Sequence, residues 1–257
     1  MRSKTRCLAL PLLLALTGLF GSGCLKMEHD LRFKEDGTAS YRLKYSISEQ
    51  AISQLRAMEK LKLDLAKANG EPPPTEELDP LLQLFLDPEE GAIEAAIKQY
   101  EKDGGFKLNN IKVESRSAWR RVDLSIEITD LKAIAQTDFF KAHGFDLTRD
   151  KDDHYVFSRD PHINRPSEVP KAPSDEDIKQ LIPLVSGFNT TLKVTTPGRI
   201  LATTAFRTTL NTASWVFDFD SEPSAIQSVQ RQPFRIVFDS KKTELPEMRY
   251  RGSQITK

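Results

Sequence analysis

The stretch that decides the fold is LKMEHDLRF-KEDGT-ASYRLKYSI, residues 25–47. Leu25, Met27, His29, Leu31 and Phe33 alternate with Lys26, Glu28, Asp30 and Arg32, the period of a strand with one face buried. A polar break holds Asp36-Gly37, and glycine supplies the positive φ that a tight reversal needs. Tyr41, Leu43, Tyr45 and Ile47 then resume the alternation. A β-hairpin is therefore predicted, 25–33 against 39–47 across a turn at 35–38.

Downstream, Ser46 and Glu49 have capping-box spacing. Ala51, Leu55, Met58, Leu61, Leu65 and Ala68 share one helical face, with Gly70 as the stop. Residues 71–80 carry four prolines and read as an exposed connector. A short segment at 81–86 and a helix at 89–102 follow, with Ile93, Ile97 and Tyr100 inward and Gly104-Gly105 closing it. Strands are predicted at 106–114 and 119–128, then a helix capped by Asp130 with Leu131, Ile134 and Ala135 inward. A turn at Arg149–Asp153 precedes a strand at 154–159. Ile178, Leu181, Ile182 and Val185 have helical spacing that Pro183 should interrupt. The last third reads as strands at 190–196, 199–206, 214–219 and 233–239. It also holds a type II turn at Pro197-Gly198 and a short helix at 222–230.

This order predicts the α+β class: an antiparallel sheet built from hairpins, with helices packed mainly on one face. Strict βαβ alternation is absent, which argues against a nucleotide-binding parallel sheet. The expected organisation is an N-terminal α+β region at 24–160, a proline-rich linker at 161–175 and a strand-rich region at 176–240. A loosely ordered tail is expected at 241–257. The linker leaves open whether the two regions form one domain.

Upstream of the hairpin, Arg2, Lys4 and Arg6 precede an apolar run from Leu8 to Phe20 and then Gly21-Ser22-Gly23-Cys24. That is the layout of a secretory signal peptide, with an apolar run too short for a permanent span. Ser22 and Gly23 suit lipoprotein signal peptidase, although Gly21 stands where leucine is usual. Gly21 and Gly23 also suit the small-x-small pattern of ordinary signal peptidase. The cysteine count favours the first. The chain has two cysteines, Cys7 lies inside the signal, and Cys24 would be alone in the processed protein. Acylation removes a thiol that would otherwise invite oxidation or mispairing. The expectation is a bacterial envelope protein held on the inner or outer membrane through acylated Cys24, since more than one acyl chain anchors stably.

The chain has 37 basic and 37 acidic residues. The signal holds three of the basic ones and no acidic one, so 34 against 37 remain, a net charge of −3. A near-neutral body argues against a nucleic-acid partner, which would call for clustered positive charge.

Several of these stretches resemble the LppM-like group of bacterial lipoproteins. They are Cys24-Leu25-Lys26-Met27 entering a strand, Lys34-Glu35-Asp36-Gly37-Thr38, and Ser46-Ile47-Ser48-Glu49 at a helix start. Thr196-Pro197-Gly198-Arg199-Ile200, with Trp215 one strand later, completes the likeness. Members often carry a C-terminal membrane helix, for which this sequence has no matching apolar run. The resemblance implies an envelope protein associated with lipid or glycolipid, and it brings no catalytic residues.

Candidate chemistry is sparse. No two of His29, His143, His154 and His162 stand three or four residues apart, the spacing that places two zinc ligands on one helix face. Asp152, Asp153 and His154 could hold a metal or a base, but read better as a solvated turn. Asp218 and Asp220 share a strand face without a partnering group. The threonines at 190, 191, 195, 196, 203, 204, 208, 209 and 212 suit exposed strand faces, or a polar face for a sugar. Trp215, Phe217 and Phe219 read as core before cleft. No GxSxG, Walker loop or GxGxxG occurs in the body. The expectation is a non-enzymatic protein without cofactor or metal that binds a lipid, a glycolipid or an envelope-protein partner. The alternatives are an assembly accessory, or an enzyme with a dispersed site.

Overall fold

The structure is a computed structural model; it describes residues 25–53, 56, 89–137, 145–159, 188–219, 221–222, 225, 232–239 and 243–249. The predicted hairpin forms as read. Strand β1 (Leu25–Phe33) pairs antiparallel with β2 (Ala39–Ser48), Leu25 opposite Ile47 and Phe33 opposite Ala39. Gly37 has φ 84° and the Asp36 carboxylate accepts from the Thr38 backbone N–H at 3.0 Å, which closes the turn.

The hairpin lies at the centre of a seven-stranded sheet. One side continues through β4 (Trp119–Ile128) to an edge at β3 (Phe106–Arg116). The other continues through β7 (Phe188–Thr195) and β10 (Thr212–Asp218) to β9 (Arg207–Thr208). The β1–β7 pairing is parallel, Leu25 opposite Phe188 and Arg32 opposite Thr195. A second sheet has the order β5 (Phe145–Arg149), β6 (Tyr155–Arg159), β11 (Phe234–Phe238), β8 (Ile200–Thr203). Both sheets draw strands from before and after the proline-rich linker, so the two regions share one core.

The α+β expectation is overturned. Strands hold 55% of the described structure and helices 15%, so the described part of the chain is mostly β. The layer over the large sheet's apolar face is the second sheet and not a row of helices. Its inward residues, Leu147, Tyr155, Phe157, Phe234, Ile236 and Phe238, join Leu31, Phe33, Ile128, Val194, Trp215 and Phe217 in one cluster. Ring pairs knit the layers: Phe33 meets Phe157 at 5.2 Å and Trp215 meets Phe234 at 5.0 Å, both edge-on. A local pattern reading could not see this, because alternation says that a face is buried and not what buries it.

The helices are local. The first begins at residue 49, with 49–53 described (α1). Ser48 caps it by accepting from Ala51 N–H at 3.1 Å. Ser46, the expected cap, is still in β2, opposite Lys26 and Arg121. Glu49 instead meets Arg120 at 2.9 Å. The rest of the predicted helix at 51–68, the connector at 71–80, the linker and the helix at 178–185 lie outside the described residues. So does most of the helix expected at 222–230, of which Ala225 is helical. Helix α2 (Glu90–Gly104) ends as predicted, Gly105 taking φ 65° as its left-handed cap. Ile93 and Ile52 meet Tyr45, Ile47 and Val122 in a small second cluster. The one-turn α3 (Leu131–Ile134) is capped by Asp130, whose carboxylate accepts from Lys132 and Ala133 N–H at 2.8 and 3.1 Å. Leu131, Ile134 and Ala135 are buried, as expected.

Two further corrections concern turns and the C-terminal end. Pro197-Gly198 is not a type II turn, because Gly198 does not take a positive φ. The glycine is needed for space: a Cβ there would lie 2.0 Å from the Asp239 carbonyl oxygen. Within the tail expected at 241–257, residues 243–249 are described and pack on the second sheet. Leu245 and Met248 are buried, Met248 bridges Leu147, and Leu245 N–H donates to the Tyr155 hydroxyl at 2.8 Å.

The large sheet's other face is polar and carries ion pairs. Asp30, the one buried acid among the described residues, takes a forked contact from Arg32 (2.7–3.2 Å), with Lys193 at 3.7 Å. Burial alone would raise its pKa, but the Arg32 hydrogen bonds and the charges of Arg32 and Lys193 outweigh that and hold it below the ordinary 3.8.

Asp30→Asn should cost about 1–2 kcal/mol at neutral pH, the scale of a charge-assisted bond. With the folded pKa depressed, the contribution is complete above the ordinary value of 3.8 and drains away as pH falls through the folded value. Denaturant midpoints of wild type and variant should therefore converge in acid; a gap independent of pH would refute the ion-pair account. Gly198→Ala should destabilise by about 1–3 kcal/mol, the range for overpacking. Ala118 sits at φ 61° in the two-residue turn between β3 and β4, so Ala118→Gly should stabilise by about 1 kcal/mol. Opposite shifts in thermal midpoint for these two variants are the expected result.

Candidate functional site

The large sheet's inward face is not evenly sealed. Between the two apolar clusters, Met27, His29 and Leu43 on the central hairpin, Leu124 on β4 and Thr190 and Leu192 on β7 are only half-buried. Their register makes them neighbours: His29 lies opposite Leu43 and Leu192, and Met27 opposite Tyr45 and Thr190. His29 Nδ1 is 2.7 Å from the Tyr41 hydroxyl, with the rings tilted and 6.1 Å apart. Burial pushes the Tyr41 phenol well above its ordinary range, so at neutral pH it is a hydroxyl and not a phenolate. His29 is thus a hydrogen-bonded histidine within an apolar strip.

The second sheet sets one cation into its inward face. Arg159 is in register with Phe145 and Phe234, and its guanidinium carbon lies 5.9 and 5.7 Å from their ring centroids. Burial lowers its pKa, and its Nε is buried without a hydrogen-bond partner. Phe234 in turn meets Trp215 and Phe217, which pair with Leu192 and Thr190. Two successive rings, Phe234 and then Trp215 or Phe217, therefore stand between this guanidinium and the half-buried strip. Sequence reasoning missed Arg159, because an arginine at the end of a strand looks like any surface charge.

The residues singled out from sequence fall apart into separate places. Cys24, His143, His162 and Asp220 lie outside the described residues; Leu25, next after Cys24, is already paired with Ile47 and Phe188. Asp152 and His154 converge with Asp150, their ligand atoms within 4.8 Å of one another, while Asp153 turns away to Arg149. Asp150 accepts from the backbone N–H of Asp152 and of His154, each at 2.9 Å, with the His154 ring 3.5 Å away. The carboxylate is occupied in building the turn, which accounts for the cluster. Asp218 likewise serves a turn, its carboxylate 3.5 Å from Ser221 N–H.

The threonines divide. Thr195 and Thr212 touch hydroxyl to hydroxyl across strands at 3.2 Å, and Thr208 and Thr209 are exposed. Thr196 is buried, its hydroxyl donating to the carbonyls of Gly198 and Asn211 at 2.8 and 3.2 Å. Trp215, Phe217 and Phe219 are buried core. Nowhere among the described residues do an acid, a base and a nucleophile converge.

Comparison with known proteins is brief. No family model matches the chain, and no curated protein matches it. Among solved structures, the NMR structure of the folded domain of Mycobacterium tuberculosis LppM aligns over 87% of this chain and 95% of its own length. The identity is 11% and the TM-score 0.35, a level at which neither site residues nor activity transfer.

Proposed function

We propose that the protein is a lipid-anchored bacterial envelope protein whose body binds an apolar or amphipathic envelope molecule without changing it chemically. The observation that carries this reading is Cys24. It closes a charged-apolar-small signal layout and is the one cysteine outside that signal. Placing lipid on it explains both its position and its solitude. Support for the binding half comes from the half-buried strip at Met27, His29, Leu43 and Leu192 and from the partly desolvated guanidinium of Arg159 behind the Phe234 and Trp215 rings. An apolar strip together with a cation that makes no ion pair among the described residues suits a molecule with a hydrocarbon portion and an acidic group.

Cys24→Ser should abolish labelling by a fatty-acid analogue and leave the precursor uncut by lipoprotein signal peptidase. Equal labelling of both chains would sink the anchor, and a soluble wild type beginning at Cys24 would establish ordinary secretion. Native mass spectrometry of the protein extracted from its membrane should show bound lipid, reduced by Arg159→Leu. A bare mass in both would leave an anchored protein without a ligand, and assembly would become the better reading.

A further inference from the structure

The chain crosses between the two sheets at 199–210. Residues 200–203 form β8, the edge of the second sheet, and 207–208 form β9, the edge of the large one. Three large apolar side chains stand exposed among the described residues, and all are on this corner: Leu201 at 48%, Phe206 at 52% and Leu210 at 69%. Scattered exposed leucines are ordinary, but three within ten residues call for a reason.

The corner is not loose. Thr204 N–H donates to the Arg235 carbonyl at 3.0 Å, its hydroxyl donates to the Pro233 carbonyl at 2.7 Å, and its own carbonyl accepts the Trp215 indole N–H at 3.1 Å. Ile200 N–H donates to the Leu210 carbonyl at 2.8 Å. Phe206 rests edge-on against Phe217 at 5.4 Å. The frame holds the apolar tips outward, and no ordering remains to be done when something meets them.

Charge says what that is. From Phe188 to Phe217 the chain has Lys193, Arg199 and Arg207 and no acidic residue, within a protein of balanced charge. Arg199 and Arg207 are exposed, and neither makes an ion pair among the described residues. Exposed aliphatic and aromatic tips flanked by unneutralised arginines, with threonine and asparagine between, match the boundary of an anionic bilayer. There the tips enter the acyl region and the guanidinium groups meet phosphate. A protein partner's groove would not need both charges free.

We infer that the 199–210 corner is a second membrane contact, seating the body on an anionic phospholipid surface. This rests on the reading of the chain as a lipid-anchored protein. The geometry permits both contacts at once. Strands β1 and β9 are three strand spacings apart, about 14 Å across the sheet, and β9 is level with Asp30 and Leu31, about 17–20 Å along β1 from Leu25, so anchor and corner meet the same surface when the strands lie along it. Lipid on Cys24 holds the protein at the membrane, and the corner fixes how it lies.

The full chain carrying Leu210→Cys, labelled with an environment-sensitive fluorophore, tests this in vesicles. One set is phosphatidylcholine alone and the other contains phosphatidylglycerol, each with and without lipid brominated in its acyl chains. The unsubstituted chain labelled in parallel reports any unacylated Cys24, so failure of the anchor is read apart from failure of the corner. The expected result is a blue shift and bromolipid quenching at position 210 in the phosphatidylglycerol vesicles. Arg199→Gln and Arg207→Gln should each lower the docked-to-undocked ratio about fivefold, and added salt should do the same. A probe that stays water-like on phosphatidylglycerol overturns the inference. So does a blue shift without bromolipid quenching, which would mean that protein and not lipid covers the corner, or quenching indifferent to both arginine changes.

Discussion

The parallel pairing of β1 with β7 is the constraint on which everything else hangs. It is the one parallel ladder among the described strands, and it joins residues 25–32 to residues 188–195. On its near side β1 is held by the hairpin with β2, which any local reading finds. On its far side it brings in β7, β10 and β9, and so Trp215 and Phe217. Without that ladder the inward face of β1 and β2 would have no continuation, and Phe234 would lose the rings it packs against. A parallel pair needs a long connection. Here the connection is most of the chain, and it includes two strands of the covering sheet.

The second dependence is the match between two apolar faces. Each strand of the large sheet offers every other residue inward, and the aromatic rows of β6 and β11 answer them. Sandwiches of this kind rest on ring contacts across the layer, with the polar faces turned to water. The outer face then has only to remain soluble and in register, which is the role of Asp30 with Arg32 and Lys193 and of the Arg42–Asp123 pair.

Much of this was legible in the sequence and some was not, for identifiable reasons. Alternation at 25–47 and 119–128 gave strands, faces and register, because a period of two admits one pairing once the turn is placed. Asp130 and Gly105 were legible as caps, since their chemistry is local. The class was misread although strands at 154–159, 199–206 and 233–239 were expected, because the residues of a strand do not say which face it covers, and helices were assigned to that layer. Nothing in β8 or β11 announces that it lies over β7 and β10. Gly198 was read as a turn glycine when its reason is the carbonyl of a residue forty positions away. On the functional side Cys24 was proposed from the sequence because export signals are written in linear order. Arg159 and the 199–210 corner were not, because the first needs its register partners and the second needs its exposures.

The order in which the strands are made adds a consequence. β1 leaves the ribosome first among the strands, while its parallel neighbour follows more than 150 residues later. On the proposed export route the chain also threads N-terminus first, so the far edge of β1 stands open until those residues have crossed. An unpaired edge held open that long is a template for any other extended chain. The sequence of β1 bears on that interval: Lys26, Glu28, Asp30 and Arg32 punctuate every second position with charge of alternating pairs. Two of those residues end as partners in the finished sheet, where Arg32 grips Asp30. Before β7 arrives, the same charges keep one face of the open edge hydrated, which disfavours pairing with an apolar segment.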